Sequence, residues 1–408
     1  MNLGFYIILG AQFLSALADN ALLFVAIALL MDMGAPPWHT PVLQQFFVIS
    51  YIILAPFVGA FADALPKGCV MFISNSVKLF GCLMMLGGTN PLYAYAIVGL
   101  GAAAYSPAKY GILTEYLPPS KLVEANAWIE GATVAAIVLG ATLAGLMLNI
   151  QISGNILTQL SFLCELSVAK LAVVLVSLLY LGAALTNLFI PRIAIDHRPA
   201  KRNPLFLLHD FWHSFKLLWR DPLGQVTLAV TTLFWGAGAT LRLVILAWAG
   251  LALKYDIQQA TQLTAIVAVG IAIGSVLAGR YIKLQNTTKV LPAGILMGFF
   301  VIGMIFVNNP FVAAGLLIVI GALGGFFVVP MNALLQHRGH LLMGSGHSIA
   351  VQNFNENLSI LALLGGYALM DRAGWPMAWI IIIFGSFISL TMLAILIRFR
   401  RIGGMEHV

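Results

Sequence analysis

The chain has 408 residues, of which 61% are hydrophobic and only 9% charged. Soluble globular chains carry roughly 25% charged residues, so a water-soluble fold is excluded and lipid must be the solvent for much of the chain. The formal net charge of +7 does not argue for nucleic acid, because in membrane proteins Lys and Arg gather in the loops of one side.

A spanning helix needs about 20 mostly apolar residues. Such runs predict spans at 5–31, 42–62, 70–88, 91–115, 123–148 and 171–190, then at 223–252, 260–282, 289–307, 310–336, 346–370 and 375–398. The first run has Ala16-Leu17-Ala18, which looks like a leader cleavage site, but no Lys or Arg precedes it and the apolar pattern continues to Leu30. A first membrane helix is therefore expected rather than a removed leader. Pro36-Pro37, Pro66, Asn90-Pro91, Pro118-Pro119 and Asn309-Pro310 punctuate the gaps. Residues 191–221 are the one long charged connection, holding Arg192, Arg198, Lys201, Arg202, Lys216 and Arg220. The predicted organisation is an all-α polytopic membrane protein of twelve spans: a six-helix bundle over 1–190, a basic linker over 191–221 and a second six-helix bundle over 222–408.

Orientation follows from the loop charges. With both termini cytoplasmic, that side holds Lys67, Lys121, the six linker residues, Arg280, Lys283, Lys289, Arg338, Arg398, Arg400 and Arg401. The other side holds Lys170, Lys254 and Arg372, and Lys78, Lys109 and Arg242 fall within helices. This asymmetry predicts cytoplasmic termini and disposes of a nucleic-acid partner. The linker reads as solvated chain within reach of anionic headgroups.

The two halves repeat each other. The fourth predicted span runs Gly99-Leu100-Gly101, then Ser106-Pro107-Ala108-Lys109; the tenth runs Gly321-Ala322-Leu323-Gly324, then Val329-Pro330-Met331-Asn332. One span later come Asn126 and Glu130 in the first half, and Gln352 and Glu356 at the same spacing in the second. Six spans, a basic linker and six more is the architecture of the major facilitator transporters. After the second span, Gly59-Ala60-Phe61-Ala62-Asp63 with Lys67-Gly68 is similar to that superfamily's loop signature, though longer and less basic; the second half offers only Gly274 to Gly279-Arg280 and Lys283.

An ionisable group at the bilayer centre costs about 2.5–3.5 kcal/mol on insertion scales, so each one needs a reason. Asp19, followed by Asn20, lies midway along the first span and is expected to line a cavity or to pair with a fixed cation. Lys109 follows the Pro107 kink, short of the helix end at Glu115. Arg242 sits mid-span behind Gly236-Ala237-Gly238, in the repeat partner of the first span; it is expected to face the same central space as Asp19 and has the fork geometry that grips phosphate or carboxylate. Glu130 and Glu356 either face the cavity or lock neighbouring helices. Gln352, Asn353, Asn355 and Asn357 make one unusually polar turn around Glu356, a pattern interhelical hydrogen bonds also produce. Lys78 reads as a packing or snorkelling residue. Gly324-Gly325 and Gly365-Gly366 read as close-packing surfaces rather than phosphate loops, since no strand precedes them.

Enzyme signals are weak. All eight histidines fall in loops or at helix ends, and none has an Asp in the His-x4-Asp manner of acyltransferases. Gly346-His347-Ser348-Ile349-Ala350 mimics a nucleophile elbow but opens a helix, so a helix start is the expected role. Cys69, Cys82 and Cys164 lack CxxC spacing, so neither a disulfide framework nor a metal site follows.

Four stretches narrow the resemblance: Gln12-Phe13-Leu14-Ser15-Ala16 with Asp19 to Phe24, Ala102 to Gly111, Gly324 to Gln336, and Ala350 to Asn353 with Glu356-Asn357. Together they resemble the bacterial lysophospholipid transporters, the LplT type of the major facilitator superfamily, over essentially the whole chain. The chain departs from the pattern in Leu17-Ala18 before the aspartate, where a glycine is usual, and in its short N-terminus. The resemblance implies a cofactor-free, monomeric flippase for lysophosphatidylethanolamine and lysophosphatidylglycerol in a bacterial inner membrane, working with a cytoplasmic-side acyltransferase and acyl-carrier-protein synthetase. It implies substrate contacts at Asp19, Asn20, Lys109 and Arg242, with Glu130, Gln352, Asn353 and Glu356 as further candidates. The alternative is a proton-coupled exporter of drugs or small solutes, with Asp19, Glu130 or Glu356 as the proton carrier; an integral membrane enzyme is a poor third.

Overall fold

The computed structural model describes residues 1–36, 39–149, 151, 167–193 and 203–402; Cys164, His197, Arg198, Lys201, Arg202 and His407 lie outside them. The described residues form thirteen α-helices. The first half contributes α1 (Leu3–Asp32), α2 (His39–Ala64), α3 (Lys67–Leu86), α4 (Pro91–Tyr116), α5 (Leu122–Met147) and α6 (Val168–Asn187). The linker holds α7 (Pro204–Arg220). Then come α8 (Pro222–Ala252), α9 (Ile257–Tyr281), α10 (Leu291–Gly303), α11 (Pro310–Met343), α12 (Ser345–Arg372) and α13 (Met377–Ile402).

Among the described residues, ten segments are long and apolar enough to cross a membrane. The two remaining predicted spans, α4 with 26 residues and α12 with 28, have the length but carry the polar residues that drew attention in the sequence. Those two helices therefore depend on protein neighbours rather than lipid to satisfy their side chains. Helix starts follow local chemistry: Asn2 accepts from the Phe5 N–H, Ser167 from Lys170, and Asp256 forms a capping box with Gln259. Between α11 and α12 a single residue, Gly344, turns the chain with φ of +93°, a conformation that suits glycine at a helix C-terminus.

The linker differs from the expectation of solvated chain. Within it α7 is a 17-residue helix, with Phe211, Ser214 and Leu218 buried on one face and Trp212, His213, Lys216 and Arg220 exposed on the other. Its apolar residues recur at helical spacing, a signal hidden when the segment is read only for charge. At its end Asp221 accepts from the Gly224 N–H and so caps α8, while its carboxylate also accepts three hydrogen bonds of 2.7–3.1 Å from the Arg338 guanidinium on α11.

The chain forms two compact units, one of Met1–Glu115, Ala135–Trp212 and Gly344–Ala350, the other of Tyr116–Val134, His213–Met343 and Val351–Val408. In the first, α6 packs on α1 and α3, around Leu22, Val25, Met85, Tyr95, Val98, Val176 and Tyr180. In the second, α10 packs on α13, which repeats the pairing of third with sixth span. The tightest seam joins α9 to α11. A Cβ on Gly270 or Gly274 would collide with the carbonyl of Ile318 or Ala322, and a Cβ on Gly321 or Gly325 with that of Val267 or Ile271. Small residues four apart on both helices bring the backbones together, and in lipid that packing replaces the hydrophobic drive. Gly365-Gly366 departs from the expected close packing, because a Cβ on either glycine meets no atom within 4 Å.

Candidate functional site

The first polar cluster is built on α1, α3 and α6. Ser15 and Asp19 stand one turn apart on α1, and Asn75 and Lys78 one turn apart on α3. Asp19 Oδ2 accepts from Lys78 Nζ at 2.8 Å and Oδ1 accepts from the Tyr180 hydroxyl at 2.7 Å. The Lys78 ammonium also donates to Ser15 Oγ at 3.0 Å, and Ser15 donates to Asn75 Oδ1 at 2.8 Å. The same ammonium lies 4.7 Å from the centre of the Tyr105 ring and 5.6 Å from that of Tyr180, where aromatic faces stabilise a desolvated cation. Gly101 on α4 makes room for the stem, since a Cβ there would sit 2.7 Å from Lys78 Cγ. Lys78 is 0% exposed, and the Asp19 side chain keeps 23%. Lys78 is therefore neither snorkelling nor inert packing; it is the fixed cation of Asp19. Its spacing to a helix end carried no hint of this, because the partner is 59 residues away.

The other first-half candidates lie close by in sequence but have separate partners. Asn20 donates to the Ala16 carbonyl at 2.8 Å and faces α5, where a Cβ on Gly140 would lie 2.8 Å from the Asn20 Cβ. Lys109 is half-buried, with its ammonium 4.6 Å from the Tyr110 ring centre.

The second cluster brings α5, α11 and α12 together. Asn332 and Gln336 lie one turn apart on α11, just after Pro330. Asn126 on α5 and Gln336 exchange two amide hydrogen bonds of 2.9 Å. Gln352 on α12 donates to Asn332 Oδ1 at 2.9 Å and to Glu356 Oε1 at 2.7 Å. The polar turn thus locks helices together, with Asn332 and Gln336, read from the sequence only as parts of motifs, as the rungs. Asn353 and Asn355 are buried in the same turn, and Asn355 accepts from the indole N–H of Trp219 on α7 at 3.3 Å. Glu130 and Glu356 are both buried and stand within electrostatic reach of each other. Arg242 behaves differently. It is exposed on the membrane-spanning helix α8, and no carboxylate pairs with it among the described residues.

A third cluster forms around the loop signature. Lys67 bonds Asp63 at 2.8 Å and Glu115 at 3.1 Å, and Ser345 donates to Glu115 at 2.6 Å. Asp63 accepts the Gly346 and His347 backbone N–H groups at 2.8 and 3.1 Å, so the start of α12 is capped by a carboxylate from α2. His347 lies between Asp63 at 2.7 Å and Asp210 of α7 at 3.1 Å. The apparent nucleophile elbow is a helix start, as its lack of a preceding strand suggests. Gly346 and Gly59 permit the contact: a Cβ on Gly346 would sit 2.5 Å from Asp63 Oδ1.

The model of the Major Facilitator Superfamily matches residues 8–355. The lysophospholipid transporter LplT of Yersinia pestis strain Pestoides F is 44% identical over 370 residues, spanning 90% of this chain and 87% of that protein. The protein of that name from Yersinia pseudotuberculosis strain IP32953 matches to the same extent. Among solved structures, the transporter FucP in the outward conformation aligns with a TM-score of 0.74 at 15% identity, covering 98% of each chain. A bacterial homologue of the iron transporter ferroportin in the outward-facing state aligns at 0.72 and 16%, covering 98% of this chain and 99% of that one; at such identities these two speak for the fold alone. An all-helical membrane fold, a repeated pattern of spans and a match over most of the length converge: the chain belongs to the major facilitator superfamily, in the group of the lysophospholipid transporter LplT.

Proposed function

We propose that this multi-pass membrane protein is a flippase that moves lysophospholipids, lysophosphatidylethanolamine and lysophosphatidylglycerol among them, from the outer to the inner leaflet of a bacterial inner membrane for reacylation. The observation that carries the reading is 44% identity to lysophospholipid transporters over 90% of the chain. The residues suit an amphiphile with a phosphate. Arg242 presents an uncommitted guanidinium on a spanning helix, where a charge facing hydrocarbon would be costly and one facing a ligand is not. Lys109 adds a second cation, and Asn20, Glu130, Gln352, Asn353 and Glu356 complete the polar lining. Asp19 meets an ethanolamine ammonium only by sharing its carboxylate with Lys78.

In this reading residues 1–190 and 222–408 are the two halves joined by the 191–221 linker, both termini are cytoplasmic, and the halves rock to expose one central polar site to each leaflet in turn. The protein works as a monomer without a cofactor and hands its cargo to a cytoplasmic-side acyltransferase and acyl-carrier-protein synthetase. The test is flipping of labelled lysophosphatidylethanolamine and lysophosphatidylglycerol in liposomes holding the purified chain, with and without a proton gradient. Flipping that persists without the gradient is expected. Absence of flipping, or transport of small solutes that collapses with the gradient, would replace this reading by the proton-coupled exporter.

A further inference from the structure

Two adjacent glycines inside a helix need a reason. Each destabilises a helix interior relative to alanine, and close packing is the usual one in membranes. It operates at Gly325 on α11, whose Cβ would collide with the Ile271 carbonyl of α9. It does not operate at Gly365 or Gly366 on α12, where a Cβ meets nothing within 4 Å. The space beside Gly366 is a cavity of about 170 Å³ between α8, α12 and α13. Leu363, Met370, Ile383, Phe384 and Phe387 line it with Gly366, and its wall is almost wholly apolar. Ile383 and Phe387 are 38% and 43% exposed, so the cavity is not sealed inside the fold.

The two helices that carry this cavity also carry polar candidates. Thr240 of α8 lines the cavity; Arg242, two residues on, lies on the other side of that helix, and Glu356 is on α12. Leu363 stands seven residues past Glu356, about 10 Å along the helix. A polar stretch passing into an apolar hollow along one helix is the pattern a single-tailed amphiphile would match.

We propose that the cavity beside Gly366 is the binding site for part of the substrate's acyl chain, and that it sets chain-length preference. This rests on the reading of the protein as a lysophospholipid flippase. A tail arriving from the bilayer gains no hydrophobic transfer energy, because lipid is as apolar as the cavity wall. What it gains is dispersion contact with a shaped wall, so the effect is a selectivity rather than a large affinity.

Filling the hollow tests this. The full chain in liposomes is compared for flipping of palmitoyl and octanoyl lysophosphatidylethanolamine, with Gly366→Leu as the filling variant and Gly365→Leu, which also has free space but does not line the cavity, as the control. Gly366→Leu lowers palmitoyl flipping by about threefold or more while sparing octanoyl, the scale of a handful of lost atom–atom dispersion contacts, and Gly365→Leu leaves the ratio unchanged. If Gly366→Leu does not fold, Ile383→Trp fills the same space. A palmitoyl analogue with a diazirine at the tail end labels peptides holding Phe384 or Tyr367, which also lines the cavity, and a diacyl phosphatidylethanolamine with the same group labels them far less. Equal loss for both tails, no loss, or equal labelling by the diacyl lipid overturns the site. Absence of wild-type flipping overturns the functional reading instead.

Discussion

Lys78 and Arg242 are both cations within membrane spans, and the structure treats them oppositely. Lys78 is fully buried on α3, with Asp19, Ser15 and two tyrosine rings around it. Arg242 is exposed on α8, and among the described residues no carboxylate pairs with it. The first is a closed electrostatic account: removing the carboxylate leaves the ammonium buried without its anion. The second is open and can be closed only by something that arrives. Position along the span does not distinguish them; neighbours brought in from distant parts of the chain do.

The comparison breaks most sharply at Lys78. Lys78→Met leaves the Asp19 carboxylate without its cation, and breaking a buried pair in this way costs about 3–5 kcal/mol. A large drop in melting temperature of the purified protein is expected, with much of it recovered in the Lys78→Met, Asp19→Asn double variant. A double variant as unstable as the single would mean that the pair is not the source of the loss. Arg242→Ala is expected to show the reverse pattern: stability within about 0.5 kcal/mol of wild type, as at other exposed positions, with flipping of lysophosphatidylethanolamine reduced about a hundredfold, the equivalent of one lost charge-assisted contact of about 2.7 kcal/mol. Wild-type flipping rates in that variant would remove Arg242 from the phosphate role. The smallest effect is at the Asn126–Gln336 amide pair. Interhelical hydrogen bonds in membranes contribute about 0.6 kcal/mol on average, so a double-mutant cycle with Asn126→Ala and Gln336→Ala should show coupling of that order in thermal unfolding, and additive losses would deny the pairing.

The spans were legible because their signal is local: twenty apolar residues in a row are visible without knowing what they touch. The repeat was legible for the same reason, in Pro107 and Pro330 and in the acids that follow them. Partnerships were not. Lys78 reads as a packing or snorkelling residue because its anion lies on α1, and Asn332 and Gln336 stand in sequence motifs without a role because their partners come from α5 and α12. The glycine pairs show the same limit. Gly324-Gly325 and Gly365-Gly366 look alike in sequence, yet a carbonyl faces Gly325 and empty space faces Gly366. Helix α7 was hidden by composition, since its basic residues drew attention away from the helical spacing of Phe211, Ser214 and Leu218.

The glycine seam between α9 and α11 also has a mechanical meaning. Packed cores usually absorb a change in shape by switching side-chain rotamers, and along Gly270, Gly274, Gly321 and Gly325 there are no side chains to switch. Carbonyls of one helix nest over the bare Cα atoms of the other, so a slide along the axis would drive each carbonyl against a neighbouring residue that has a Cβ. The pair is a beam. Bending in this part of the protein must be taken up elsewhere, and the slack is at hand where glycines face open space, at Gly238 on α8 and at Gly365 on α12.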